Sequence, residues 1–280
     1  IKLGKAPHTY YKLNSQKKDI EINFSVQEEQ SEFLLQHFLL ITETGIKLEG
    51  MPAFKYWCDK QKLPIEKTLT EFITTRKKYL AFYNVNHLIE GTQKLADTKG
   101  YEKIGIDKLF YLDFYAIERF GKTRLGTLMH FAKQGQNKKL MSIIVSEIKS
   151  RVENFIKMNK INAVLFVPPT IKRELQIMLF LQTHLQLNIP LIGIKKITGE
   201  IAIPQKALSK LHERISNAQN SFVVTEKQKF KTVLIIDDAV GSGATINEIA
   251  EKIRQKKVAK TIYGLAITGS YKGFEVINEI

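Results

Sequence analysis

Cysteine is almost absent from this chain. Cys58 is the only cysteine among 280 residues, so an intrachain disulfide and a thiolate-rich zinc site are both excluded. The residue stands beside Trp57, and a thiol next to a large aromatic side chain is typical of a buried, inert cysteine. This cysteine usage fits a reducing compartment, and we expect a cytoplasmic protein.

Long apolar runs are also missing. No stretch approaches the roughly 20 apolar residues that are needed to cross a bilayer, so the sequence predicts no membrane span. Histidines with metal-ligand spacing are absent too, because the six histidines are scattered as His8, His37, His87, His130, His184 and His212. We therefore interpret the histidines as surface or packing residues.

Acidic residues are outnumbered by basic ones. The chain has 43 Lys and Arg against 28 Asp and Glu, a formal net charge of +15. Such a charge attracts phosphate-rich partners, either nucleic acid or small phosphorylated ligands, but it is equally typical of a lysine-rich solvated surface. No long basic run or basic–aromatic repeat marks a nucleic-acid groove.

Strand and helix patterns alternate from about residue 104 onward. Apolar runs predict strands at 108–114, 163–167, 191–194, 233–236 and 261–268. Helical periodicity predicts helices near 127–132, 139–158, 173–185, 205–217 and 244–255. This alternation predicts an α/β fold with a mostly parallel sheet flanked by helices on both faces.

The preceding part of the chain has a different pattern. Alternation over 20–26 predicts a strand, two short runs within 37–50 predict a hairpin, and helical spacing predicts helices from Pro64 and over 86–95. Residues 96–103 look like a linker. We therefore predict an added α+β amino-terminal domain over 1–103 and an α/β domain over 104–280.

The most informative motif begins with the apolar run Val233–Ile236, which predicts a strand buried on both faces. Asp237 and Asp238 follow at its carboxyl end, where open α/β sheets bind ligands. Because consecutive strand side chains diverge, one carboxylate can face a ligand while the other braces the loop. They could accept hydrogen bonds from sugar hydroxyls or bind Mg²⁺ through water; the alternative is a solvated acidic pair.

A small-residue loop follows the acidic pair and leads into a predicted helix. It runs Gly241-Ser242-Gly243-Ala244-Thr245, which is neither a Walker loop nor a dinucleotide fingerprint. Two hydroxyls and the positive end of the helix make it a compact cup for one phosphate. The alternative is a plain strand-to-helix turn with capping Ser and Thr.

The motif resembles the signature of type I phosphoribosyltransferases, in which an apolar strand and an acidic pair precede a Thr-Thr-Gly-Ala-Thr-like loop. The resemblance implies that Asp237 and Asp238 bind the ribose. It also implies phosphoribosyl pyrophosphate as the ligand and Mg²⁺ as the cofactor. The implied 5′-phosphate loop comprises Ala239, Val240, Gly241, Ser242, Gly243, Ala244 and Thr245.

A second set of residues is similar to the ComF-like branch of that family. Its members precede the signature and are Gln205, Leu208, Arg214, Asn217 and Phe222. Lys133 resembles the lysine segment further upstream in these proteins, and the resemblance covers roughly 105–270. It implies a ligand-binding role for Arg214, which could instead pair with Glu213 or Glu200.

The family also has a pyrophosphate loop after its first core strand, which corresponds to 167–173 here. The resemblance implies that Thr170 reaches the pyrophosphate and that Lys172 or Arg173 neutralises it. Lys195 and Lys196 stand where a closing lid is expected. The alternative for 167–173 is a strand end stopped by two prolines.

Three departures from the family limit what the resemblance implies. The four-cysteine zinc module of ComF-like proteins is absent. Gly241 replaces the acidic residue of purine-salvage members, so a 6-oxopurine acceptor is not expected, and no charged residue immediately follows the strand at 163–167. The catalytic residues therefore stay unassigned.

We expect a protein that binds phosphoribosyl pyrophosphate, or ribose 5-phosphate, with Mg²⁺. It would transfer the phosphoribosyl group to an unidentified acceptor. The alternative is a non-catalytic ComF-like module that handles single-stranded DNA during DNA uptake. The sequence leaves open whether the protein forms a homodimer.

Overall fold

A computed structural model describes residues 2–3, 10–11, 27–98, 101, 103–169, 173–197, 208, 210–219 and 221–271. The helices are α1 (Glu28–His37), α2 (Gly50–Gln61), α3 (Ile65–Leu80), α4 (Thr92–Asp97), α5 (Arg124–Gln134), α6 (Lys138–Met158), α7 (Ile177–Leu185), α8 (Leu211–Gln219) and α9 (Ala244–Gln255). Within the described ranges, none of the helices has the length and apolar character needed to cross a membrane.

The strands are β1 (Lys2–Leu3), β2 (Tyr10–Tyr11), β3 (Leu39–Ile41), β4 (Lys47–Glu49), β5 (Ile89–Glu90), β6 (Lys108–Phe114), β7 (Ala116–Ile117), β8 (Gly121–Lys122), β9 (Ala163–Phe166), β10 (Ile194–Lys196), β11 (Phe222–Val224), β12 (Phe230–Val240) and β13 (Ala259–Gly269). The predicted hairpin within 37–50 is present as the antiparallel pair β3–β4. The strand predicted at 20–26 lies outside the described residues.

A five-stranded sheet forms the centre of the described structure, in the order β5-β6-β13-β12-β9. β6, β13, β12 and β9 are mutually parallel, and β5 pairs antiparallel with β6 at one edge. The predicted α/β fold with a mostly parallel sheet is therefore confirmed. Strands buried on both faces need continuous apolar runs, and the 233–236 run supplies one.

Helices cover both faces of this sheet. Val233 and Ile235 of β12 belong to a core shared with α9 and the amino-terminal helices. Leu234 and Ile236 belong to a second core, which α5, α6 and α7 complete. Successive strand side chains point to opposite faces, so one apolar strand contributes to both cores.

The amino-terminal region packs directly against the sheet. Aromatic rings of α2, α3 and the β3 entry interlock, and the Phe38 and Phe72 ring centroids lie 5.2 Å apart at 89°. Leu34 of α1 and Val233 of β12 lie in the same core cluster. Helices and short strands alternate here, as expected for an α+β region. The division at residue 103 stays a prediction.

The predicted helix over 86–95 is wrong. Ile89–Glu90 is strand β5, and only Thr92–Asp97 is helical. Gly91 separates the two elements, and a Cβ at this position would lie 2.3 Å from the Tyr111 hydroxyl of β6. The chain passes so close to β6 that edge pairing replaces the local helical preference.

One ion pair joins the amino-terminal helices to the sheet. The Arg76 guanidinium of α3 donates two hydrogen bonds to Asp113 near the end of β6, at 3.1 and 3.2 Å. Their side chains are only 5% and 8% exposed, and the Tyr83 hydroxyl also donates to Asp113. Such a forked, buried pair is costly to break because the remaining charge stays uncompensated.

We predict that Arg76→Met lowers the free energy of unfolding by about 3–5 kcal/mol, since it leaves Asp113 buried without its cation. The measurement is urea unfolding followed by circular dichroism. Lys78→Met is the matched control, because Lys78 of the same helix pairs with Glu118 at the surface and exposed pairs contribute little. Equal losses in both variants would contradict the prediction.

Candidate functional site

The acidic pair lies at the carboxyl edge of the central sheet. β12 is longer than the predicted 233–236 strand and continues to Val240. Asp237 and Asp238 therefore lie inside the strand, near its carboxyl end, rather than after it. The parallel register matches Asp237 with Ala266 and Val240 with Gly269 of β13. The strand pairing therefore fixes the backbone of both acidic residues.

Asp237 occupies a buried position, with 8% of its surface exposed. Burial raises the pKa of its carboxyl group above the ordinary value, and the neighbouring Asp238 charge raises it further. The Asp238 amide donates a 2.8 Å hydrogen bond to Asp237 Oδ1. Asp237 thus braces the backbone at the strand end.

Asp238 pairs with a lysine that a nearby arginine contacts in turn. Its carboxylate forms an ion pair with Lys133 near the end of α5. Burial lowers the pKa of Lys133, but the charge and hydrogen bond of Asp238 outweigh this and hold the pKa above its ordinary value. The Arg173 guanidinium donates to the Lys133 carbonyl oxygen and, at 3.3 Å, to Gln134 Oε1. The fold thus places Lys133 beside Asp238 and Arg173 next to Lys133.

The small-residue loop forms a turn into α9. Gly243 is the residue before the helix and has φ +83°, a left-handed conformation that favours glycine. Ser242 and Thr245 are partly exposed, and Ser242 Oγ accepts a 3.4 Å contact from the Ala244 amide. First-turn amides have no partner within their helix, so this end of α9 can receive an anion.

Two residues that precede β6 contact this loop. The Tyr101 hydroxyl donates a 2.7 Å hydrogen bond to the Ser242 carbonyl oxygen. A Cβ on Gly243 would lie 2.6 Å from Leu95 Cδ1. Sequence reasoning missed both residues, because they lie more than 140 positions upstream, Leu95 at the end of the predicted helix 86–95 and Tyr101 in the predicted linker 96–103.

The other predicted site residues fall into three groups: outside the described residues, described by backbone only, or on a separate hairpin. Thr170 and Lys172 lie outside the described residues, and Arg214 is described only through the backbone of α8. Lys195 and Lys196 lie on β10, which pairs with β11. Burial lowers the pKa of Lys196.

The described structure joins neither of these lysines to the acidic pair or the loop. Lys196 places its ammonium 5.6 Å from the Phe222 ring centroid. If the β10–β11 hairpin closes over the site, we expect a bound ligand to cause the closure.

The donor set suits Mg²⁺ only in part. Across the described ranges, no group of three or more His, Cys, Asp or Glu side chains could hold a metal ion. Asp237 and Asp238 offer carboxylate oxygens, and Lys133 shares Asp238. Mg²⁺ commonly takes one or two carboxylates and fills its other positions with water and substrate phosphates, which is the arrangement these residues permit.

A cleft of about 650 Å³ opens at the same sheet edge. Tyr115, one of its lining residues, donates its amide to the Gly269 carbonyl at 2.8 Å, next to Val240 of β12. The aromatic lining residues are Phe38, Tyr56, Trp57, Tyr115, Phe120 and Phe131. No sequence signal indicated this cleft, because its walls come from two distant segments.

Comparison with solved structures finds partial likenesses. A purine phosphoribosyltransferase from Pyrococcus horikoshii Ot3 is 18% identical over 46% of this chain and 75% of that chain, with a TM-score of 0.29. An adenine phosphoribosyltransferase from Saccharomyces cerevisiae, complexed with an imino-altritol bisphosphate and adenine, is 18% identical over 51% and 77%, with a TM-score of 0.32.

A hypoxanthine phosphoribosyltransferase from Staphylococcus aureus is 12% identical over 49% of this chain and 68% of that chain, with a TM-score of 0.28. No protein-family model matches the chain, and no curated protein matches its sequence. The fold and site define an α/β protein with a candidate anion loop beside two carboxylates, and the ComF-like branch stays a prediction.

We predict that Gly243→Ala lowers the free energy of unfolding by about 2–3 kcal/mol, because backbone strain adds to the clash with Leu95. The matched control is Gly45→Ala. Gly45 has φ +79° but nothing within 4 Å of an added Cβ, so it should cost only about 1 kcal/mol of backbone strain. Thermal unfolding of both variants measures the difference, and equal losses would remove the role assigned to Leu95.

Proposed function

We propose that this protein binds phosphoribosyl pyrophosphate with Mg²⁺ and transfers its phosphoribosyl group to an acceptor. The observation that carries the proposal is the continuous β12–loop–α9 unit. It places two carboxylates next to a glycine turn and the amino-terminal end of a helix. That pairing suits a ligand with sugar hydroxyls on one side and a phosphate on the other.

Each part of this ligand has a partner. The 5′-phosphate would bind the Gly241–Thr245 backbone and the hydroxyls of Ser242 and Thr245. The ribose hydroxyls would donate to Asp238 and Asp237. Lys133, Arg173 and the β10 lysines would supply positive charge for the pyrophosphate, and Mg²⁺, when bound, neutralises this leaving group.

The reaction would replace one bond at the anomeric carbon with another. The bond to the pyrophosphate oxygen breaks, that oxygen keeps the electron pair, and the acceptor forms the new bond. Positive charge develops on the sugar ring, and the nearby carboxylates stabilise it while the loop holds the phosphate in place. The aromatic cleft beside Tyr115 has the size and lining to accept a planar acceptor.

The proposal extends to organisation and location. Residues 1–103 would form an amino-terminal unit that supports the loop, and residues 104–280 the phosphoribosyl-binding unit. Tyr101 and Leu95 support this division of roles, since both contact the loop from outside the second unit. The near-absence of cysteine favours a cytoplasmic location.

Calorimetric titration with phosphoribosyl pyrophosphate and Mg²⁺ tests the proposed ligand. We expect one site per chain, and we expect the double variant Asp237→Asn/Asp238→Asn to weaken binding roughly 10- to 100-fold, because hydrogen bonds to charged groups are lost. Glu153→Gln, on the exposed face of α6, is the control and should bind as the parent does. Absence of binding, or unchanged binding in the double variant, would reject the proposal.

Ligand binding should also release a proton. The raised pKa of Asp237 means that this buried group holds a proton at pH values where a free carboxyl is ionised. A cationic or hydrogen-bond-donating ligand favours the carboxylate, so affinity should rise as pH rises toward the pKa of Asp237 and level off above it. Titration at pH 7.5 in two buffers of different ionisation enthalpy measures the release; identical enthalpies would contradict it.

Single-stranded DNA handling remains the second candidate function, and the net charge of +15 favours it. Binding to an oligonucleotide should then weaken steeply as salt rises, because each phosphate contact releases counterions. Fluorescence anisotropy across a salt series measures this slope. A complex that is absent at low salt, or indifferent to salt, would count against this function.

A further inference from the structure

A second polar cavity lies beside the end of β6. It has a volume of about 560 Å³ and is enclosed by α1, α3, α5, α6 and the end of β6. Its charged lining residues are Arg76, Arg124, Arg151, Asp113 and Glu147. None of its lining residues belongs to the Asp237–Thr245 segment, so a ligand bound here would occupy a separate site.

Two buried donors in this cavity wall have no hydrogen-bond partner among the described residues. Nε of Arg76 and Nε of Arg151 are buried and make no hydrogen bond to the described part of the chain. Almost all buried polar groups in folded proteins are paired with protein, water or an ion. Two unpaired Nε donors in one wall therefore favour a further polar group at this cavity.

The arginines differ in how their charges are compensated. Asp113 neutralises Arg76, and Glu49 and Glu147 both bind Arg124 at 2.8 Å. Arg151 instead donates to two backbone carbonyl oxygens, those of His87 and Leu112. No carboxylate of the described residues lies within ion-pair distance of Arg151, so its partly buried charge lacks a counter-ion.

The cavity also has surfaces for the rest of a small molecule. Leu80, Leu125 and Ile148 provide apolar wall, and Asn84 and Tyr83 provide polar groups. His37 adds no positive charge near neutral pH, because burial and the adjacent Arg76 lower its pKa to about 4. Arg151 is therefore the cationic side chain of this cavity for which the described residues provide no ion-pair partner.

We propose that this cavity binds a small molecule through an oxyanion, a phosphate or a carboxylate, seated on Arg151. A guanidinium presents its N–H groups in a planar fork that matches both groups. The oxyanion supplies the missing counter-charge, and the oxyanion or a water molecule held by it pairs the orphan donors. The site lies where α3 and α6 meet the sheet edge, so occupancy stabilises the junction between the amino-terminal helices and β6.

The test uses the full chain with Ser242→Ala/Thr245→Val, which removes both hydroxyls from the first anion loop and so weakens that loop while leaving its backbone amides in place. Inorganic phosphate and succinate are titrated separately by calorimetry, so that the two arms distinguish a phosphate from a carboxylate ligand. We expect at least one of the two anions to bind at one site per chain. If neither anion binds, the proposal is overturned. That result does not bear on the proposed function, because the proposed function rests on the 241–245 loop, which is altered in this variant.

Substitutions on α6 then assign the site. In the same background, Arg151→Gln should weaken binding at least 10-fold, whereas Lys149→Gln, the same charge change at the exposed side of this helix, should leave it within twofold. Unchanged binding in Arg151→Gln, or equal losses in both variants, overturns the assignment. If Arg151→Gln does not fold, crystals of the unaltered protein soaked in tungstate decide: a heavy-atom peak beside Arg151 supports the site, and its absence overturns it.

Discussion

The parallel pairing of β12 with β13 is the constraint on which the rest of the site depends. The two strands stay in register from Phe230 to Val240, so the backbone that carries Asp237 and Asp238 has little freedom. Because β9, β6 and β13 run in the same direction as β12, their carboxyl ends meet at one edge. The small-residue loop, Lys133 and the aromatic cleft are all positioned by that common edge.

The amino-terminal region is part of this arrangement rather than an appendage beside it. β5 extends the sheet, the Arg76–Asp113 pair joins α3 to β6, and Tyr101 reaches the carbonyl of Ser242. A chain that lacks disulfides can hold such distant segments together only through burial and hydrogen bonding. This explains why the apolar core of the amino-terminal helices is continuous with that of β12.

Elements with a strong internal pattern were predictable. The apolar stripe of α6 and the continuous apolar run of β12 were found close to their true positions, because helical periodicity and burial on both faces leave marks in the sequence itself. β5 was missed because two residues paired at a sheet edge carry no period. The hairpin β7–β8 was missed for the same reason, as each of its strands has two residues.

The candidate site likewise has a part that was predictable from local sequence and a part that was not. The sequence by itself determined the acidic pair and the small-residue loop, because their contributions are local: neighbouring residues of one segment create the turn and the helix end. Only the tertiary structure decided which cation pairs with Asp238, which residues pack behind the loop, and that an arginine without an ion-pair partner among the described residues lines a second cavity. Those facts depend on contacts between segments more than 60 residues apart, and one sequence holds no record of such distances.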